Sequence, residues 1–322
     1  MSSARPSLAI VIHTEEEFDW NGGFYRSNNK VTHGKELTAL CERFIAMDAP
    51  VTFALDYAFV DSEEGKKVIE HFNANHQGKV EFATHLHPWV SPPFDEDESK
   101  QEEVSNFESY PGNLSKELEY QKLSVLTDKI THVSGQKPTT YLAGRYGIGK
   151  NTHETLLGLG YQLDVSISPF TNFSHQQGPD FSHCNNNVST TDGLCYIPHT
   201  TAVLSRIPLV ANLFNNNPHW FEKCLQSPLT RFLMKVARVK KQRLSPEGFA
   251  LNDMKRVIRN QLKLGQQSFV FSFHSPSVKV GLTPYTQTAE ALSQFEHDTL
   301  ALLSWFKEEC HGKITLAKDI RV

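Results

Sequence analysis

Short apolar runs alternate with longer helix-like segments along most of this chain. Seven of the runs are typical of β-strands, because they are short, rich in β-branched or aromatic residues and bounded by polar residues. They cover about residues 8–14, 51–55, 80–85, 140–143, 162–167, 268–273 and 314–317. Strands that alternate with helices build a mostly parallel sheet covered by those helices. The pattern therefore predicts a fold of the α/β class.

Apolar residues at helical spacing predict the segments between these strands. One helix is expected to be capped by Asp61 and to run to about His76. Other helices are expected at about residues 35–47, 116–133, 151–159, 218–236, 252–264 and 286–309.

The remaining segments read as irregular chain. Residues 88–112 and 169–192 are rich in turn-forming and polar residues and are predicted loops, while 196–199 and 204–208 are predicted short extended pieces. The acidic stretch 95–108 is interpreted as either a lid or plain exposed chain. Because the sequence contains neither an internal repeat nor a clear linker, we expect residues 1–322 to form a single domain.

Polar residues follow several of the predicted strands. His13, Glu15 and Glu16 come at the end of the first strand, and His85 and His87 come at the end of the third. Arg145 follows the fourth strand, and His274 follows residues 268–273. In a parallel barrel the carboxyl ends of the strands meet at one face, where catalytic groups gather. We therefore expect these clusters to form one shared site.

The two histidines after the third strand suit a metal ion. Side chains two positions apart on a strand point to the same face, so His85 and His87 can bind one ion together. Two imidazoles and one carboxylate, with a coordination position left open, are typical of hydrolytic metal sites. Zinc is the ion that such a ligand set favours.

Composition and charge are those of a globular protein and do not indicate a partner of strong charge. The chain has 322 residues, of which 39% are hydrophobic, enough to bury a full core. Its 32 basic and 36 acidic residues give a net charge of -4, which does not indicate a nucleic-acid-binding surface. A short basic run at residues 235–243 is interpreted as a solvated helix end.

Cysteine usage and apolar runs bear on location. The five cysteines are scattered and form no CxxC pair, which suits a reducing compartment. No long apolar core precedes the first strand and no apolar stretch of 18 residues exists, so neither a signal peptide nor a membrane span is expected. The sequence thus favours a cytoplasmic location.

Four motifs resemble those of the polysaccharide deacetylase family, also called the NodB-homology family or carbohydrate esterase family 4, and its WalW-like branch in particular. The motifs are the Glu15-Glu16 pair, the His85/His87 pair, the segment Gly144-Arg145-Tyr146-Gly147 and the strand that ends at His274. The resemblance spans about residues 7–320. It implies a distorted (β/α) barrel of about seven parallel strands. It also implies a metal-dependent hydrolase that removes an acetyl group from an N-acetylated sugar by cleaving a non-peptide C–N bond.

Two departures from the family pattern leave the roles at the first strand open. The histidines are one residue apart rather than three, and His13 stands where an acidic residue is expected. In one interpretation His13 is the altered base and Glu15 is the metal ligand. In the other, Glu15 is the base, Glu16 is the ligand and His13 lies outside the reaction. We assign Glu15, His85 and His87 to the metal, and His13 and Glu16 to catalysis.

The remaining site residues follow from the motifs and their neighbours. His274 is the expected general acid, because imidazole titrates near neutral pH. Arg145, set between glycines, is expected to orient a carboxylate base. Trp20, Trp89 and Tyr146 are predicted to contact the sugar. His199 and Asp180 are interpreted as structural residues. His71, His153 and His311 lie on helix-like stretches and are interpreted as surface residues.

Two other functions remain open from the sequence. The chain can be a carbohydrate-binding relative that has lost catalysis through His13, or a metal-dependent amidohydrolase with a small non-sugar substrate. The same fold hosts several activities, so the fold by itself does not decide the substrate.

Overall fold

A nine-stranded sheet lies at the centre of the computed structural model, which describes residues 5–20, 22–94 and 102–320. Part of the acidic stretch 95–108, residues 95–101, therefore falls outside the described residues. The strands, in the nine-stranded sheet and in two small two-stranded sheets, are β1 Ser7–Thr14, β2 Phe24–Tyr25, β3 Val51–Leu55, β4 Val80–Leu86, β5 Glu103–Val104, β6 Thr140–Ala143, β7 Leu163–Asp164, β8 Ser189–Thr191, β9 Leu194–Tyr196, β10 Thr201–Leu204, β11 Lys240–Arg243, β12 Ser268–His274 and β13 Lys313–Thr315.

The order of the strands confirms the predicted parallel α/β architecture. The main sheet runs β12-β1-β3-β4-β6-β7-β9-β8, and β13 pairs with the beginning of β1. Every pairing in it is parallel except that of β8 with β9. All seven predicted strands are present. The strand predicted at 162–167 is shorter, with only Leu163 and Asp164 in the ladder.

The open side of the sheet is bridged by a ribbon formed by β10 and β11. These two strands pair antiparallel, and the residues that flank them bond to β12. The amide of Ser272 donates to the carbonyl of Leu244, and the amide of Val270 donates to the hydroxyl of Thr200. The curled sheet and this ribbon together form a distorted barrel, as the sequence motifs implied.

Ten α-helices are found in the described ranges, and each predicted helix is among them. The helix predicted at 218–236 is divided in two at Pro228, because proline cannot donate the hydrogen bond that would continue it. The helices are α1 Gly34–Ala46, α2 Tyr57–Asp61, α3 Glu63–Asn75, α4 Lys116–Ser134, α5 Thr152–Leu159, α6 Pro208–Asn216, α7 Pro218–Gln226, α8 Pro228–Val236, α9 Leu251–Lys263 and α10 Ala289–Glu308.

The expected cap of α3 is wrong by one residue. Asp61 is the last residue of the short helix α2, and Ser62 caps α3 by accepting a hydrogen bond from the amide of Gly65 at 2.9 Å. A serine at this position satisfies one of the four amide groups that a helix start leaves without a partner. The acceptor therefore comes from the residue between the two helices.

The basic run 235–243 is also more than a solvated helix end. Helix α8 ends at Val236, and the run then turns into strand β11. Lys240 is exposed, but Arg243 at the end of the strand reaches the hydroxyl of Tyr146 at 2.6 Å. Pairing with β10 draws this basic segment into the barrel, which charge patterning alone does not predict.

The alternation of side chains on β1 explains where the polar residues lie. Leu8, Ile10 and Ile12 belong to the cluster that packs under the helices. Ala9 and Val11 belong to the cluster inside the barrel, and His13 continues their face. Among the described residues, no helix has both the length and the apolar character needed to cross a membrane.

Candidate metal-dependent active site

Three strand ends bring histidines and carboxylates to one end of the barrel. His13 and His274 are direct neighbours in the β1–β12 register. The ring centroid of His13 lies 4.7 Å from that of His274 and 5.1 Å from that of His85. The predicted clusters at the ends of β1, β4 and β12 therefore meet, as parallel strands require.

Glu15, His85 and His87 form the core of the candidate metal site. The Oε2 atom of Glu15 is 3.1 Å from Nε2 of His85 and 3.6 Å from Nε2 of His87. Burial lowers the pKa of both imidazoles, so they are neutral at neutral pH, which is the form that binds metal ions. Three donor atoms thus converge on a volume that one ion can fill.

The second ring nitrogen of each of these histidines is also held. Nδ1 of His85 lies 3.0 Å from the carbonyl oxygen of Leu142, and Nδ1 of His87 lies 2.9 Å from Oε2 of Glu16. Such partners fix the tautomer and orient the ring of a metal-binding histidine. The donor set and the groups that support it therefore fit a resident divalent ion.

Glu16 lies behind His87 rather than in the cavity. Besides His87, its carboxylate accepts a hydrogen bond from Nε1 of Trp89 at 2.8 Å, and its backbone amide bonds to Asp56 at 3.3 Å. Burial raises the pKa of Glu16 to about 7 and that of Asp56 well above its ordinary range. Since Glu16 is fully buried, the structure places it as a support of His87 and not beside a reacting group.

Trp89 packs against its neighbours and contributes little exposed surface to the cavity. Its ring is 2% exposed and stacks on His87 at 4.2 Å, and its indole N–H is used by Glu16. The expected sugar contact therefore has little surface on which to form. Trp20 is better placed, because it is half-buried and its N–H has no partner among the described residues.

His274 is paired with a carboxylate that the sequence analysis did not single out. Nδ1 of His274 is 2.8 Å from Oε2 of Glu247, and its backbone amide donates to Oε1 of the same residue at 3.0 Å. Burial acts to lower the pKa of His274, but the charges of Glu247 and Glu15 outweigh it and raise the pKa to about 9. His274 is therefore an imidazolium at neutral pH, with a proton to give.

His13 is in the opposite state. Burial, followed by the charge of His274, lowers the pKa of His13 well below its ordinary value. Its Nε2 atom is buried and has no hydrogen-bond partner among the described residues. A neutral imidazole with a free nitrogen is equipped to accept a proton.

Glu15 is ionised despite its burial. Burial acts to raise the pKa of Glu15, but the imidazoles of His274, His85 and His87 lower it to about 2. Glu15 therefore faces the two metal-binding imidazoles and the cationic His274 as a carboxylate.

Arg145 bonds to no carboxylate among the described residues. It donates to the oxygen of Gln176 at 2.6 Å and to the side chain of Asn106 at 3.2 Å, and it also bonds to the hydroxyl of Ser109. Its guanidinium lies between the rings of Phe24 and Tyr110. The guanidinium thus contacts neutral oxygens and aromatic faces, and the expected orientation of a carboxylate base is not among its described contacts.

A cavity of about 400 Å³ opens over the candidate metal site. All of the predicted site residues except Glu16 line it, together with aromatic side chains from the neighbouring loops. Its lining consists of His13, Glu15, Phe18, Trp20, Phe24, His85, His87, Trp89, Tyr110, Arg145, Tyr146, Phe173, Gln176 and His274.

Four residues near the site were missed by sequence reasoning. Asp56 directly follows β3, so the rule used for the other strand ends could have found it. His199 lies 5.4 Å from His13 between ring centroids and bonds to Ser272, although it was interpreted as structural. Arg243 ends β11, a strand that the sequence did not reveal, and Glu247 follows it, so no local signal pointed to them.

Other groups of donor atoms also come close enough to hold an ion. Glu16, Asp56 and His87 form one, and His13, Glu15 and His274 form another. The first is sealed behind the cavity, because Glu16 and Asp56 have no exposed surface. The second contains the cationic His274, which repels a metal ion. A fourth group, Glu42, His71 and His76, lies on the outer surface.

Comparison with known proteins gives matches at the level of structure. No protein-family model and no curated protein matches this sequence. PuuE allantoinase superposes with a TM-score of 0.52 at 11% identity, over 99% of this chain and 89% of that chain. A probable polysaccharide deacetylase from Pseudomonas aeruginosa PAO1 gives 0.51 at 10% identity, over 97% and 88% of the two chains.

A third match extends over only part of the other protein. The 4-alpha-glucanotransferase from Thermococcus litoralis gives a TM-score of 0.51 at 9% identity, over 98% of this chain but 40% of that one. At such identities the matches establish the architecture and not the activity. The chain therefore has the fold shared by the polysaccharide deacetylase and allantoinase structures, as its sequence motifs implied.

Proposed function

We propose that this protein is a metal-dependent hydrolase that removes an acetyl group from an N-acetylated sugar in a polysaccharide or glycan precursor. The observation that carries the proposal is the cavity in which a Glu15/His85/His87 donor set faces a cationic His274. Cleavage of an amide needs an activated nucleophile and a proton for the leaving nitrogen. Residues that can meet both requirements lie at one cavity, in a single catalytic domain.

Glu15, His85 and His87 would hold one divalent ion, with zinc as the ion that two neutral imidazoles and a carboxylate favour. Such an ion, when bound, supplies Lewis-acid activation of water and of the amide carbonyl at neutral pH. Glu16 and Leu142 keep the two imidazoles in the tautomer that leaves each Nε2 free for this purpose.

His274 and His13 supply the proton transfers. His274 is protonated and held through Nδ1 by Glu247, which leaves its Nε2–H to be donated to the amine as the C–N bond breaks. His13, a neutral imidazole that lines the cavity, would accept a proton from the attacking water molecule. The residue at the altered base position can thus still act as a base. This argues against the interpretation of the chain as a binding protein without catalytic activity.

The lining of the cavity supports a sugar as substrate. Trp20 and the stacked pair of Tyr146 and Phe173 present aromatic faces, on which the apolar face of a sugar ring packs. The free indole N–H of Trp20 can donate to a hydroxyl or carbonyl oxygen. Arg145 adds a cation to the wall, where it contacts substrate rather than a catalytic carboxylate.

A second candidate is an amidohydrolase with a small non-sugar substrate. The similarity of the fold to PuuE allantoinase favours it, since both proteins span nearly all of each other. The two candidates share the metal and the proton transfers and differ in the substrate alone. Assays with N-acetylglucosamine oligomers and with allantoin, run side by side on metal-loaded protein, distinguish them.

The first test is the metal content of the purified protein and of a His85→Ala/His87→Ala variant. We expect about one zinc or similar ion per chain in the wild type and its loss in the variant. A His71→Ala/His76→Ala variant is the matched control, because it removes two imidazoles from the surface group around Glu42 and leaves the cavity intact. An ion that stays in the first variant and leaves the second would refute the proposed site.

A further inference from the structure

The apolar face of helix α8 points to solvent. Leu229, Phe232, Leu233 and Val236 recur at the spacing of one helical stripe, yet they are 68%, 63%, 55% and 65% exposed. A stripe of this kind normally faces the core of the protein. In α8 only Met234 is buried. The side of α8 that its sequence pattern predicts to face the core therefore faces solvent.

Exposed apolar side chains also occur on the neighbouring helices α6 and α7. Residues 207–236 contribute nine of the fourteen large hydrophobic side chains that are exposed among the described residues. Exposed apolar side chains concentrated in this way mark an interaction site rather than ordinary exposure. We call it the exposed apolar face, and it consists of Ile207, Leu209, Leu213, Trp220, Leu225, Leu229, Phe232, Leu233 and Val236.

The same helices have a packed inner side, so the exposure does not reflect an unfolded segment. Phe214, Phe221 and Met234 bury their side chains against Phe170 and Val203. A proline begins each of the three helices, at Pro208, Pro218 and Pro228, which fixes where each one starts. The exposed apolar face is therefore the outer side of an ordered unit.

Cationic side chains surround this face. Residues 206–241 contain seven lysines and arginines and one acidic residue, Glu222, whereas the whole chain has a net charge of -4. Six of the seven, those other than Lys241, have no ion-pair or hydrogen-bond partner for their side chains among the described residues. They are Arg206, Lys223, Arg231, Lys235, Arg238 and Lys240, all exposed.

We propose that the exposed apolar face binds the surface of an anionic lipid bilayer. Amphipathic helices that lie in a bilayer interface combine Leu, Phe and Trp on one side with Lys and Arg at its margin. The cations here complement the anionic headgroups. A second copy of this chain is a poorer fit, because pairing two such faces would bring twelve unpaired cations together.

The exposed apolar face is connected to the cavity through β11. This strand follows α8, and its residues Lys241 and Arg243 line a cleft of about 170 Å³ that ends at His274. Binding at α6–α8 would thus hold this side of the active site toward the bilayer. The binding itself needs no substrate, so it goes beyond the proposed hydrolase activity and is tested independently of it.

The test is co-sedimentation of the purified full-length protein with vesicles of phosphatidylcholine, with and without phosphatidylglycerol. We expect binding to the vesicles that contain phosphatidylglycerol, and we expect added salt to weaken it. A Phe232→Ser/Leu233→Ser variant should bind roughly tenfold or more weakly. An Arg231→Gln/Lys235→Gln/Arg238→Gln variant should also lose roughly tenfold or more.

Matched variants on other surfaces control for general loss of apolar area or charge. Val125→Ser removes an exposed apolar side chain from α4, and Lys67→Gln/Lys137→Gln/Lys150→Gln removes three exposed charges outside residues 206–241. Both should bind like the wild type, and circular dichroism should give all variants the same thermal midpoint.

Two results would overturn the proposal. One is that the wild type binds neither kind of vesicle. The other is that it forms dimers in solution that Phe232→Ser/Leu233→Ser converts to monomers while vesicle binding is absent, which would identify the face as an interface between copies.

Discussion

Two histidines that line the cavity, His13 and His274, have opposite charge states because their neighbours differ. His274 bonds to the carboxylate of Glu247, which holds its proton. His13 is surrounded by other imidazoles and has lost its proton to burial. A pair of titratable groups whose pKa values are pushed apart suits the acid and base roles proposed for His274 and His13. At the residue scale, the charge of each histidine is thus set by its neighbouring side chains rather than by its residue type.

Replacing Glu247 by glutamine should change how activity depends on pH. The carboxylate raises the pKa of His274, so its removal lowers that pKa and the alkaline limb of the kcat/KM profile moves to lower pH. Activity at neutral pH should fall as well, by less than the roughly 10²–10⁴-fold that general acid catalysis contributes.

The control for this prediction is Glu309→Gln, an exposed carboxylate far from the cavity along the chain. It should leave the profile in place. An alkaline limb that Glu247→Gln does not move would show that His274 is not the group that titrates there.

At the scale of elements, the turn from α2 to α3 depends on a glycine for steric reasons. A Cβ atom at Gly65 would lie 1.8 Å from the carbonyl oxygen of Phe59, which is backbone and cannot move aside. By contrast, a Cβ atom at Gly158 in α5 would meet nothing closer than 3.6 Å. The two glycines therefore have different reasons to be present.

This difference gives a paired prediction on stability. Gly65→Ala should lower the free energy of unfolding by about 2 kcal/mol or more, because the chain must shift to admit the methyl group. Gly158→Ala should raise it by about 0.5–1 kcal/mol, because alanine favours the helix. Urea unfolding of both variants measures the changes, and equal effects would contradict the steric argument.

A buried carboxyl on α4 should make stability depend on pH. Burial raises the pKa of Glu119 to about 7 from its ordinary value of 4.5, although Thr152 donates a hydrogen bond to it. Its contribution to stability is then fully present below about pH 4.5 and is lost as the pH rises through 7. Between pH 5 and pH 8 the wild type should lose about 2 kcal/mol that a Glu119→Gln variant retains.

The measurement is urea unfolding of both proteins at the two pH values. Glu117→Gln, on the exposed side of the same helix, is the matched control and should follow the wild type. If Glu119→Gln loses as much stability as the wild type, the buried carboxyl is not the group that titrates.

At the scale of the whole molecule, the candidate metal site is assembled only when the chain folds. Its ligands come from the ends of β1 and β4, which are 70 residues apart along the chain between Glu15 and His85. An ion that binds this arrangement and not the unfolded chain must stabilise the fold.

Zinc should therefore raise the unfolding temperature of the protein. At about a hundred times its dissociation constant, a ligand specific for the folded state adds about 2.7 kcal/mol to the free energy of unfolding. Differential scanning calorimetry should detect this in the wild type and in His71→Ala/His76→Ala. The same gain in His85→Ala/His87→Ala would place the stabilising ion elsewhere.

Much of the architecture could be predicted because it rests on local patterns. Apolar alternation located the seven strands, and the common direction of parallel strands placed His13, Glu15, His85 and His274 at one end. The motifs implied the barrel, which the structural matches confirm. These features follow from neighbouring residues and from the rule that parallel strand ends meet.

Other features were decided by tertiary contacts between distant segments. The sequence alone determined the order of elements and the strand-end clusters, because periodicity and turn chemistry act over a few residues. Only the folded structure decided that Glu247 holds His274, that Glu16 supports His87 and that Arg145 bonds to neutral oxygens. It also decided that the apolar stripe of α8 faces solvent. Each depends on which distant side chain arrives at a given place, and no local pattern contains that information.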